Sequence, residues 1–96
     1  SVSSDIKLKD NIEKVEGALE LVSQLDGVTF DWKESGKKSA GVIAQNVEKV
    51  FPSAVKEVPD VDSEDTHLNV DYNQLSALFI EAIKELNQKV KDLENK

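Results

Sequence analysis

The C-terminal quarter of the chain places the tightest constraint on how it can fold. From Tyr72 to Lys96 there is no proline or glycine, and Phe79, Ile83, Leu86, Val90 and Leu93 recur at alternating spacings of four and three. That alternation is a heptad seam, with Ile83 and Val90 at one core position and Leu86 and Leu93 at the other. Leu75, Leu78 and Ala82 give the same segment a second apolar face. A helix apolar on two sides must bury against more than one neighbour. The pattern predicts a helix, capped by Asp71 with Gln74, that packs on its own domain with one face and on sister helices with the other. The alternative is a single amphipathic helix docked only on its own core. Two or three heptads are marginal alone, so the globular part must help to hold an oligomer. Ile and Val with Leu nominally favour two strands, so the seam does not itself fix the number of copies.

Upstream, three kinds of periodicity follow one another. Residues 1–9 read as an extended lead-in, Ile6 and Leu8 alternating with charged neighbours. Residues 10–25 read as a helix: Asp10 and Glu13 form a capping-box pattern, and Ile12, Val15, Leu19 and Val22 share a face. Gly17 weakens this helix, and Asp26-Gly27 ends it. The period then becomes two, with Val28, Phe30 and Trp32 marking a half-buried strand. A turn over residues 34–38 leads to a short partner strand, Gly41-Val42-Ile43, and a brief helix from Ala44 to Val50. Residues 58–66 read as an acidic loop, and Leu68 to Val70 as a short edge strand. The chain thus divides into a lead-in (1–9), a small α+β part (10–70) and an association helix (71–96).

Composition removes several classes of function. The chain has 96 residues, enough for one small domain. Its net charge is −7, and all 12 basic residues are lysines. Without arginine it lacks the fork that reads phosphate or guanine bidentately, which argues against nucleic-acid binding. No apolar stretch is long enough to cross a bilayer, and the first residues do not read as a secretory leader. Cysteine is absent, so disulfides and thiolate metal sites are excluded.

The remaining motif candidates fail on spacing. Gly36-Lys37 suggests a phosphate loop, but that motif needs glycine at position 31 and Ser or Thr at 38, where the chain has Asp31 and Lys38. His67 has no second histidine and no cysteine with which to bind a metal, and it reads as a structural or surface residue. Asp60, Asp62, Glu64 and Asp65 lack the glycine and terminal glutamate of a calcium loop. No cofactor or metal is expected.

What remains is the lead-in. Ser4-Asp5, Leu8-Lys9 and Ile12 are followed by Gly27-Val28-Thr29-Phe30-Asp31-Trp32, by the run from Gly41 to Pro52, by Val70-Asp71-Tyr72 and by Glu81 to Leu86. In this order the blocks cover nearly the whole chain, and together they resemble the endosialidase-type intramolecular chaperones of phage tail fibres and tailspikes. The resemblance implies a small α+β fold whose long C-terminal helices form a trimeric coiled coil. It implies a homotrimer that templates an upstream β-rich fibre or spike domain of the same polypeptide, in the host cytoplasm during virion assembly. It also implies autoproteolytic release from the fibre by a Ser-Lys dyad. Carried over residue by residue, the cut lies at Ser3–Ser4, with Ser4 as nucleophile and Lys9 as base. Since Ser1-Val2-Ser3 precede Ser4, the bond to be cut lies within the chain. A chemically inert trimerising module, or the same domain in a self-releasing membrane-tethered transcription factor, is the alternative.

That chemistry makes two demands. A lysine acts as a base only when neutral, and at an ordinary pKa near 10.4 roughly 0.04% of a lysine is neutral at pH 7. Burial or nearby positive charge must supply the difference; Lys7 would help, and a close Asp5 would oppose it, so Asp5 is better suited to holding the turn. The second demand is geometric. Residues five apart face opposite sides of a strand and lie about 140° apart around a helix. Either the segment bends sharply, or Lys9 of one copy serves Ser4 of another.

Overall fold

The computed structural model describes residues 3–96. Its elements are helix α1 (Ala18–Val22), strands β1 (Val28–Asp31) and β2 (Lys38–Gly41), helix α2 (Ala44–Val50), strands β3 (Val55–Pro59) and β4 (Thr66–Val70), and helix α3 (Tyr72–Glu94). Single 3-10 turns stand at Ile6–Leu8 and Pro52–Ala54. The strands form two separate antiparallel hairpins, β1 with β2 and β3 with β4. This is the α+β arrangement with a long C-terminal helix that the sequence predicts.

Helix α3 organises the molecule. Asp71 caps it by accepting a hydrogen bond from the Asn73 amide at 3.0 Å, and Gln74 Nε2 donates to the other carboxylate oxygen at 3.3 Å. The Asp71 amide donates to the Ala54 carbonyl at 2.7 Å, which fixes where the helix starts. Leu75, Leu78 and Ala82 are buried, together with Ala18, Val47 and Ala54. The core is therefore small, and among the described residues half of its six buried members are alanines. Small residues allow close approach but bury little apolar surface. The core also stops at Ala82, whereas α3 continues to Glu94. That continuation, about 18 Å at 1.5 Å per residue, gives the molecule its length. The radius of gyration is 16.9 Å, against about 12.5 Å for a spherical domain of this size.

The helix predicted over residues 10–25 is much shorter. Asn11 (φ 53°) and Gly17 (φ 64°) both adopt left-handed backbone, and the α-helix runs only from Ala18 to Val22. Ile12 is 64% exposed and does not join a buried face. Gly17 is the N-cap of α1 and contributes no side chain; instead Glu85 of α3 accepts from the amides of Ala18 (2.8 Å) and Leu19 (3.2 Å). Tertiary capping by α3, rather than the local Asp10/Glu13 pattern, sets where the helix begins.

The partner strand of the first hairpin also lies earlier than predicted, at Lys38–Gly41. Val28 faces Gly41 and Asp31 faces Lys38. The turn is closed by the Gly36 amide donating to Trp32 O (2.8 Å) and by the Trp32 amide donating to Lys37 O (2.9 Å), with Gly36 at φ 71°. A β-carbon at Gly41 would lie 2.8 Å from the Tyr72 hydroxyl, so the tyrosine side chain would have to shift to admit one. Residues 55–59, in part assigned to the acidic loop, form β3, with Pro59 paired to Thr66 at its end. The loop that remains is residues 60–65.

Candidate functional site

The lead-in solves its geometric problem with a single tight turn. Asp5 has extended backbone (φ −68°, ψ 135°), and its carboxylate accepts from the Lys7 amide at 3.0 Å. This short side-chain cap starts the 3-10 turn at Ile6–Leu8. The Leu8 and Lys9 amides donate to the Asp5 and Ile6 carbonyls at 3.0 and 3.1 Å. Lys9 then returns to extended backbone (φ −127°, ψ 137°). With about three residues per turn, the segment folds back on itself, and Lys9 Nζ donates to Ser4 Oγ at 3.0 Å.

The structure therefore brings Ser4 and Lys9 together within one chain. Asp5 is occupied by the turn and by Lys7, whose Nζ lies 4.0 Å from the other carboxylate oxygen. It faces the turn rather than Lys9, as expected for a residue that holds the bend. Both members of the Ser4–Lys9 pair are exposed, as are Ser3, Ile6 and Leu8. Among the described residues, every hydrogen bond of Ser4 to Lys9 is made inside the segment. Ser1 and Val2 of the lead-in lie outside the described residues. Ser3 and Ser4 flank the predicted scissile bond.

The predicted seam occupies one side of α3. Phe79, Ile83, Leu86, Val90 and Leu93 are 38–67% exposed, while Leu75, Leu78 and Ala82 on the other side are buried. Ile80, which the heptad reading passed over, is 56% exposed and widens the apolar band beside Phe79. Within one chain, then, α3 buries one apolar face and leaves the other bare.

Three structural residues escaped sequence reading. Glu85 lies between two seam positions and caps α1 from a distance of more than sixty residues in sequence; nothing local signals it. Asn46 accepts from the Asp26 amide (3.0 Å) and donates to the Gln24 carbonyl (3.0 Å), so it ties the end of the α1 region to α2. Tyr72 places its hydroxyl against Gly41 and 3.5 Å from the Val42 amide. His67, expected to be structural, bonds Asp60 through Nδ1. That contact holds the Asp60 carboxyl below its ordinary range, and Ser63 assists. Among the described residues no group of acidic or histidine side chains is arranged to hold a metal. Among the described residues no helix is long and apolar enough to cross a membrane.

Comparison with known proteins places these features in a family. Residues 4–56 match the model described as chaperone of endosialidase, and the match begins at Ser4. The chain is 38% identical over 100 residues to the long tail fiber protein Gp37 of Enterobacteria phage T2, covering 99% of the chain but 7% of that protein. Gp37 of Enterobacteria phage Ox2 is 38% identical over 99 residues, 96% of the chain and 39% of the relative. Gp37 of Escherichia phage AR1 is 35% identical over 92 residues, 88% of the chain and 8% of the relative. The chain thus spans only a minor part of the curated relatives it matches. With its Ser4 turn, its two hairpins and its Gly41–Pro52 run inside or beside the matched region, the chain belongs to the endosialidase-chaperone family.

Proposed function

We propose that this chain is the self-releasing chaperone segment of a phage tail fibre. It gathers three fibre chains through the exposed face of α3, aids folding of the β-rich part preceding it, and then cuts itself free at Ser3–Ser4. The observation that carries the chemical half of this reading is the Lys9 Nζ to Ser4 Oγ hydrogen bond at 3.0 Å. The half concerning assembly is supported by the bare seam of α3 and by the small core, which leaves an isolated copy little to stabilise it. Long-range β-pairing is slow and exposes strand edges, so a clamp built from local helical contacts is suited to set its register.

The chemistry follows from where the nucleophile stands. Ser4 lies on the amine side of the bond to be cut, so its Oγ reaches the Ser3 carbonyl carbon by closing a five-membered ring. Neutral Lys9 takes the hydroxyl proton as the C–O bond forms. The C–N bond then breaks, the Ser4 nitrogen leaves as an amine after gaining a proton, and Ser3 is held as an ester on Oγ. Water hydrolyses the ester, leaving a Ser3 carboxylate and a second chain that starts at Ser4. As a base, the neutral amine of Lys9 accepts the proton of Ser4 across the same contact.

The test is a precursor with its natural upstream sequence. Ser4→Ala and Lys9→Ala are each expected to leave an assembled, uncut fibre, whereas Lys7→Ala retains cleavage. Mass spectrometry of the unmodified precursor should find a fragment beginning at Ser4. An assembled precursor that stays whole with Ser4 and Lys9 intact would reduce the domain to an inert trimerising module.

A further inference from the structure

Charged side chains flank the C-terminal half of the α3 seam. With Ile83 and Val90 as positions a of the heptad and Leu86 and Leu93 as d, the flanking g positions are Leu75, Ala82 and Lys89. The e positions on the other flank are Ile80, Asn87 and Glu94. Lys89 and Glu94 are exposed, on either side of the bare Val90 and Leu93. Among the described residues neither forms an ion pair. By contrast, two pairs on the outer side of the helix close within it: Lys84 Nζ donates to Glu81 at 3.4 Å, and Gln88 Nε2 to Asp92 at 2.9 Å.

We propose that Lys89 of one copy pairs with Glu94 of a second copy, and that this contact selects the direction and register in which the seams meet. This deepens the function proposed above and rests on the assembly it posits. In parallel helices in register, g of one copy meets e of its neighbour in the following heptad, five residues on. The three such pairs are Leu75 with Ile80, Ala82 with Asn87, and Lys89 with Glu94. Only the last joins opposite charges. Leu75 and Ala82 are already buried in their own core, so Lys89, beyond the core, is the g residue left open to a neighbour.

The other arrangements leave these charges unanswered. Antiparallel helices bring g beside g and e beside e, so Lys89 would meet Ala82 or another Lys89, and Glu94 would meet Ile80 or Asn87. A slip of one heptad sets Lys89 opposite Asn87, or Glu94 opposite Ala82. Ser76 adds a second signal. It stands at a, one heptad before Ile83, is exposed, and donates to the Asn73 carbonyl at 2.6 Å within its own helix. In register it meets Ser76 of other copies, whereas the same slip sets it against Ile83. An exposed ion pair is weak, which suits a contact that chooses among arrangements burying similar apolar surface rather than driving association.

Sedimentation of the 96-residue chain over a concentration series tests the pair. Lys89→Glu and Glu94→Lys should each raise the concentration for half-association about tenfold, since each turns attraction into repulsion in every copy. Lys89→Glu/Glu94→Lys restores opposite charges in reverse order and should regain most of the loss. Lys91→Glu makes the same charge change at b, away from the seam, and should stay within about twofold of the parent. Salt at about 1 M should narrow the differences. Glu94→Lys is the cleanest variant, because a lysine in the last turn favours the helix itself and so cannot weaken association by unwinding it. The chain has no cysteine, so Leu93→Cys reports register: oxidation should link associated copies in the parent background, and less so with Glu94→Lys. Single reversals that associate as Lys91→Glu does, or a double reversal as weak as the singles, overturn the pair while leaving the seam standing. Associated Leu93→Cys copies that do not link are out of register, which overturns it too. A parent chain monomeric at every concentration removes the assembly itself, and the pair with it.

Discussion

Replacing Glu85 with alanine strips the Ala18 and Leu19 amides of the carboxylate that accepts from both, at 2.8 and 3.2 Å. Gly17 cannot substitute, having no side chain, and Ala18 is fully buried, so water cannot readily reach its amide. Loss of a helix cap costs about 0.5–2 kcal/mol, and leaving a buried donor unpaired about 1–3 kcal/mol. A loss of about 2 kcal/mol is therefore expected. For a domain of this size it lowers Tm by roughly 8–16 °C. Glu85→Gln keeps one acceptor oxygen but loses the charge, and should fall between the parent and alanine. Thermal melts followed by circular dichroism at dilute concentration, where association contributes little, measure the effect. Glu81→Ala is the control, since that carboxylate only reaches Lys84 on the same helix at 3.4 Å. Such a pair is worth about 0.3–0.5 kcal/mol. If Glu85→Ala melts as Glu81→Ala does, α1 is not capped from α3 and the packing argument fails.

Ile83→Asp with Leu86→Asp should abolish association in sedimentation while leaving the far-ultraviolet spectrum of the globular part intact, because both side chains are exposed in one copy. Gly41→Ala should destabilise the chain by about 1 kcal/mol through its clash with the Tyr72 hydroxyl, and Tyr72→Phe should recover most of that loss in the double variant. The Asp60 carboxyl is held low by His67, so the stability this contact contributes is present above the ordinary carboxylate range and is lost as pH falls through the lowered value. Melts at pH 7 and below pH 3 should accordingly differ less for Asp60→Asn than for the parent.

Helix α3 was legible because a long uninterrupted heptad pattern and an Asp cap both act within the segment that they describe. Helix α2 stands at Ala44–Val50, where the sequence predicts it, although no side chain caps it. The segment at residues 10–17 was misread because its apolar spacing suits a helix, while Asn11 and Gly17 take left-handed backbone and the nearest cap is supplied by Glu85. Strand β3 was missed because Pro52 and Pro59 look like punctuation, although a proline at a strand end costs the ladder nothing there. The Ser4–Lys9 contact illustrates the limit at the site. Spacing showed that no regular helix or strand joins residues five apart, but the bend itself needed Asp5 to be read as the cap of a 3-10 turn.

The unequal ends of α3 bear on the fate of a copy that finds no partner. Its first three turns are pinned by Leu75, Leu78 and Ala82 and the next by Glu85, while the turns beyond rest on backbone hydrogen bonds and side-chain pairs such as Gln88 with Asp92. A helix end without tertiary cover opens at little cost, and proteases cut what opens. On this reasoning an unassembled chain would open first at this end, where Val90 and Leu93 are exposed, and would offer proteases a site there. Association would hide that site in the same act that completes the seam. Surplus copies would be cleared and assembled ones spared with no separate recognition signal.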